Sequence, residues 1–90
     1  MRKLRGNCYV TSEALFHLLG GKAAGWRPET LRHEGDVHWY LRHADGRVLD
    51  ATASQFRTAP DYRKGRGRGF LTREPSRRAR ELMRTLVWQE

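Results

Sequence analysis

Gly6-Asn7-Cys8-Tyr9-Val10-Thr11-Ser12-Glu13-Ala14-Leu15 holds the only cysteine of the 90-residue chain, where a loop becomes a helix. Val10, Ala14, Leu15, Leu18 and Leu19 recur on one face of a 3.6-residue period. The pattern predicts a helix over residues 8–19, the central element of the core. Gly20-Gly21 ends it, because glycine accepts the left-handed conformation at a helix C-terminus. A thiol at a helix start lies among free backbone N–H groups and the positive end of the macrodipole, and both favour the thiolate. A nucleophilic cysteine then needs a base and a group to orient that base.

The totals bound the answer. Ninety residues predict one domain over 1–90, with no internal repeat. With 38% hydrophobic and 31% charged residues, the chain reads as a folded soluble domain rather than a disordered one. No apolar run approaches the ~18 residues that span a membrane, and no apolar signal segment follows the basic start. These features predict a cytoplasmic protein with no membrane partner. One cysteine excludes an internal disulfide and suits a reducing compartment. The net charge of +8 makes nucleic acid or an acidic protein a candidate partner.

Outward from the helix, residues 1–7 are a basic lead-in and 22–29 read as a connecting loop broken by Gly25 and Pro28. Trp26 is expected over the core edge. Residues 30–33 predict a short strand and Glu34-Gly35-Asp36 a turn. Residues 37–42 predict the best strand, with Val37, Trp39 and Leu41 on one face and His38, Tyr40 and Arg42 on the other. Ala44-Asp45-Gly46 turns the chain into a partner strand over 47–50. Residues 51–56 leave the sheet as a helical turn carrying Phe56 inward. Pro60 and the run Gly65-Arg66-Gly67-Arg68-Gly69 predict irregular structure over 57–69. Phe70-Leu71 is expected to re-enter the core. A last helix starts at Pro75 or Ser76, with an apolar stripe of Ala79, Leu82, Met83, Leu86 and Val87 opposite Arg77, Arg78, Arg80 and Arg84. The fold class is therefore α+β: an N-terminal core helix on a small antiparallel sheet, with a C-terminal amphipathic helix.

His38 lies thirty positions after Cys8, and Asp50 twelve after His38. In the hairpin, residues near 41 face residues near 49 or 50, so His38 and Asp50 fall on adjacent strands. A helix packed on that sheet can set the Cys8 sulfur against one ring nitrogen of His38 while Asp50 holds the other. Tyr40, on the same face, is a candidate cleft residue. The bland alternatives are a buried small hydrophobe for Cys8, a structural histidine for His38 and a turn cap for Asp50. His17, His33 and His43 with Cys8 match no standard zinc spacing, so no metal or other cofactor is expected.

Gly6-Asn7-Cys8-Tyr9, His38-Trp39-Tyr40-Leu41 and Gly46-Arg47-Val48-Leu49-Asp50-Ala51-Thr52 together resemble papain-like cysteine hydrolases, the transglutaminase-like branch nearest. The resemblance covers roughly residues 6–56. It implies thiol attack on an amide or related carbonyl in a peptide or amide substrate, with Cys8 as nucleophile, His38 as base and Asp50 as orienter. The chain departs from that family in its length, in Tyr9 where a tryptophan is usual, and in having no separate glutamine before Cys8. The Cys8 backbone N–H and the Asn7 side chain are then the candidates for an oxyanion hole. The chain also looks like small phage and bacterial proteins, a likeness that carries no activity.

A second reading keeps the fold without chemistry: a basic binding protein, either a nucleic-acid binder or a phage-encoded inhibitor. Its contacts would come from Arg66 and Arg68 in the glycine run and from Arg77 and Arg78 on the last helix. The glycine run is not a phosphate loop of the strand–Gly-rich–helix kind, since no Lys-Ser/Thr follows it. A monomer or a homodimer is compatible with so small a domain.

Overall fold

The cysteine-bearing stretch folds as α1, Asn7–Leu18, in a computed structural model that describes residues 7–87. The lead-in before Asn7 lies outside those residues. Gly20, at φ 98°, ends the helix in the left-handed conformation, and a 3-10 turn over Gly21–Ala24 follows. The chain then forms β1 (Trp26–His33), β2 (Asp36–His43), β3 (Val48–Leu49) and β4 (Arg66–Gly67), and closes with α2 (Arg77–Val87). The sheet is antiparallel, in the order β3-β2-β1-β4. Two helices and this small sheet make the α+β architecture.

β1 is eight residues long, so the loop expected over 22–29 is corrected from Trp26 onward. Pro28 does not break the strand. It faces Leu41 of β2 in a pair whose peptide groups turn away from that neighbour, and its carbonyl accepts from Arg68 N–H at 3.1 Å. The missing proline N–H thus costs no bond to β2. The β1–β2 turn places Glu34 at φ 50° and Gly35 at φ 85°, the left-handed pair a two-residue hairpin requires. Leu41 faces Leu49, one of the two registers the hairpin left open.

Each sheet face has its own cover. On the face of Trp39, α1 supplies Tyr9, whose ring meets Trp39 at 4.7 Å, and Phe70 stacks on Trp39 at 5.5 Å. Leu41 is fully buried on this side. The stretch between β3 and β4 covers the opposite face, with Phe56 edge-on to His38 and Tyr62 edge-on to Tyr40. Residues 57–69 are therefore not wholly irregular, since a 3-10 turn over Tyr62–Lys64 and β4 lie within them. The glycine run enters the sheet because Gly65 lets the backbone pass directly over the Tyr40 hydroxyl.

The expected apolar face of α1 is only partly buried. Leu18 and Leu19 are exposed, while Cys8, Ser12, Glu13 and Ala14 face inward. The helix looks towards α2 as well as the sheet, and the second neighbour takes polar residues. Glu13, with no exposed surface, accepts from the Ser76 N–H and hydroxyl, both at 2.8 Å. Ser76 in turn caps α2, its Oγ accepting from Ala79 N–H at 3.2 Å. Ala79 is buried, but Leu86 is exposed and the side chain of Val87 lies outside the described residues. Phe70 re-enters the core as expected. Leu71 does not: it is 89% exposed, and only its N–H is engaged, donating to Tyr9 Oη. Among the described residues, no helix is long and apolar enough to cross a membrane.

Candidate active site

Cys8, His38 and Asp50 meet around one imidazole. β2 fixes His38 on the face covered by residues 50–64. Asp50 directly follows β3, so the β2–β3 register delivers its carboxylate to that ring, with His38 Nε2 to Asp50 Oδ2 at 2.7 Å. Cys8 lies near enough to the same imidazole to help raise its pKa. It arrives from the first turn of α1 past the edge of β2, where β3 has already ended. There its Sγ also donates to the Val37 carbonyl at 3.9 Å. The helix bears on the Trp39 face, not on the His38 face, and only its first turn reaches round to the ring.

A carboxylate only accepts, so Asp50 keeps the proton on Nε2 and leaves Nδ1 as the nitrogen that exchanges a proton. Burial works against the imidazolium. Hydrogen bonds with Asp50 and Cys8, and the charges of both, overcome it and raise the pKa to about 9. The sign for stability follows. The folded imidazole holds its proton more tightly than the unfolded one at 6.5, so its stabilisation is complete below pH 6.5 and is lost as pH rises to about 9. Urea midpoints should fall across that window in the native chain and stay flat there in His38→Gln.

Three residues that the sequence did not assign to the site complete the shell. Tyr62 Oη donates to Asp50 Oδ2 at 2.6 Å, and burial and that bond push its pKa up, so it stays a donor. Gln55 Nε2 lies 3.4 Å from His38 Nδ1. Phe56 walls the ring at 4.7 Å. Phe56 was legible as an inward side chain. Tyr62 and Gln55 carry no periodic signal, because they lie on short 3-10 turns between strands.

Other expected site residues lie elsewhere. Tyr40 shares the His38 face but does not line a cleft. It is fully buried, its hydroxyl donating to Glu29 Oε1 at 2.7 Å. Burial opposes the Glu29 carboxylate, yet bonds from Tyr40, Arg42 and Arg27 hold its pKa low. Asn7 opens α1, and its side chain lies outside the described residues. Arg66 and Arg68 flank β4, with Arg68 over the Trp39 ring at 5.7 Å. Arg77 and Arg78 are exposed on α2, far along the chain from the ring. His33 contacts Thr58, His43 contacts Ala24 and Asp45, and His17 packs on Phe16, so the three serve separate places.

The sulfur itself is closed in. Cys8 is 3% exposed and His38 0%.

The model of the YunG protein family matches residues 1–89. The chain belongs to the YunG family. No curated protein and no solved structure matches it. The YunG description names no activity or ligand, so the chemistry rests on the side chains just described.

Proposed function

We propose that this YunG-family chain is a cysteine-dependent hydrolase or acyl transferase acting on an amide, of the papain-like and transglutaminase-like kind. The observation that carries the reading is the shared imidazole: Asp50 on Nε2 at 2.7 Å and Cys8 near enough to raise the ring's pKa. An imidazolium beside a thiol favours the thiolate. The Cys8 sulfur attacks the amide carbon, and the carbonyl electrons move to oxygen. Collapse expels the amine, which takes the proton from His38 Nδ1 and leaves a thioester. His38, now neutral, accepts a proton from water or an acceptor amine as that nucleophile attacks the thioester, and the acid or new amide departs with Cys8 restored. Asp50 holds the ring through both halves, and Tyr62 holds Asp50. The Cys8 N–H at the head of α1 is a donor for the developing oxyanion.

Alkylation by iodoacetamide tests this. At pH 6 an ordinary thiol is ionised to well under about 1%, so Cys8 in the folded chain should react about tenfold or more faster than in the denatured chain. Labelling should vanish in Cys8→Ala, which should keep the fold. A folded rate no higher than the denatured one removes the hydrolase reading.

The enclosure of Cys8 and His38 favours a second reading, in which the three groups form a buried structural knot in a basic binding protein. That reading expects an inert thiol and salt-sensitive binding of nucleic acid or an acidic protein, weakened when Arg66, Arg68, Arg77 and Arg78 are neutralised.

A further inference from the structure

We propose that the groove beside the free end of β1 binds an extended acidic peptide segment. β4 covers only Glu29 and Thr30 of β1, so residues 31–33 run on past its end. A cavity of about 420 Å³ opens there, lined by Leu31, Arg32, Val37, Lys64, Arg66 and Arg68, with Thr30 and Gly67 between them. Four cations and no carboxylate face it. Asp61 partly answers Lys64, while Arg32, Arg66 and Arg68 form no ion pair with a carboxylate among the described residues.

The shape selects a peptide strand. A short strand that stops early leaves a sheet edge that an extended chain can prolong, with alternate side chains entering the groove. An acidic residue at every second position would meet the cations, and Val37 offers apolar contact between them. Val37 is 44% exposed. A single-stranded nucleic acid would need free aromatic faces on which to stack its bases. No aromatic side chain among the described residues lines the groove, and the Trp39 ring under Arg68 is covered by Phe70 as well.

The groove adjoins the candidate site through one residue. The Val37 side chain lines it, and the Val37 carbonyl accepts from Cys8 Sγ. That the bound peptide is also the substrate rests on the hydrolase reading; that it binds does not.

The test uses the full chain carrying Cys8→Ala and fluorescence anisotropy at low salt. The probe is a fluorescein-labelled peptide of alternating glutamate and valine, with a lysine–valine peptide as control. The acidic peptide should bind and the basic one should not. Arg32→Glu with Arg66→Glu should weaken binding about tenfold or more, while Arg80→Glu with Arg84→Glu, an equal change in net charge, should leave it within about twofold. Circular dichroism should be unchanged in both, since all four side chains are exposed. No binding, or equal losses in the two double variants, overturns the proposal. So does a fluorescein-labelled RNA oligonucleotide that binds more tightly than the acidic peptide and loses affinity in the groove variant. Alkylation of the native thiol is independent: binding over an inert Cys8 sinks the hydrolase reading alone, and a reactive Cys8 without peptide binding sinks the groove alone.

Discussion

Asp50→Ala should slow alkylation of Cys8 at pH 6 by about a hundredfold or more. The substitution removes the acceptor that holds the His38 proton on Nε2 and the charge that favours the imidazolium. Burial, the largest influence on this ring, then acts almost unopposed and drives its pKa down. A neutral ring beside Cys8 no longer stabilises a thiolate. The same change should destabilise the fold by about 3 kcal/mol, because it breaks a buried charged pair and strands the Tyr62 hydroxyl. Urea unfolding measures the second effect, and alkylation under fully native conditions the first. Tyr62→Phe separates them. It keeps the Asp50–His38 bond and loses one hydrogen bond, so it should cost only about 1 kcal/mol and leave alkylation near the native rate. A reactivity loss in Tyr62→Phe as large as in Asp50→Ala would mean that general loosening, not the carboxylate, controls the thiol.

Gly65→Ala should be the most damaging glycine-to-alanine change among the described residues. A Cβ there would meet the Tyr40 hydroxyl and would lie 2.7 Å from Glu29 Oε1. Neither neighbour can give way, since Tyr40 and Glu29 are buried and bonded to each other and to Arg42. The backbone of residues 62–66 must move instead, taking Tyr62 away from Asp50. Overpacking of this kind costs about 1–3 kcal/mol, and the broken network adds to it. Out of the roughly 5–15 kcal/mol that hold a domain together, this is a large share. Gly67→Ala is the control, two residues on in the same run, where nothing lies within 4 Å of the added carbon. Its thermal midpoint should match the native one. Equal losses in the two variants would show that backbone freedom of the glycine run, not the close approach at Gly65, sets the stability.

Local chemistry made much of this protein legible in its residues. The periodicity of residues 8–19 and 77–87, the glycines after α1, the serine cap of α2 and the turns at 34–35 and 44–46 each act within a few positions, and each element formed near its expected place. Hairpin register is also local, so the turn set residues near 41 opposite 49 or 50 and put His38 and Asp50 on adjacent strands; the structure pairs Leu41 with Leu49 and joins His38 to Asp50. What failed depended on distant neighbours. Pro28 sits in a strand because its missing N–H points away from β2, and Leu18 and Leu19 lie bare because α1 faces α2 through Glu13.

Read alone, the chain yields the helix, the hairpin and the order of a thiol, an imidazole and a carboxylate. Packing between distant segments set the approach of Cys8 to His38 past the edge of β2, the hold of Tyr62 on Asp50 and the closing of the sulfur from solvent. The reason is range. Turns and caps are settled by torsions of adjacent residues, whereas burial and approach are settled by whichever segment packs across, and no spacing in one chain specifies that partner.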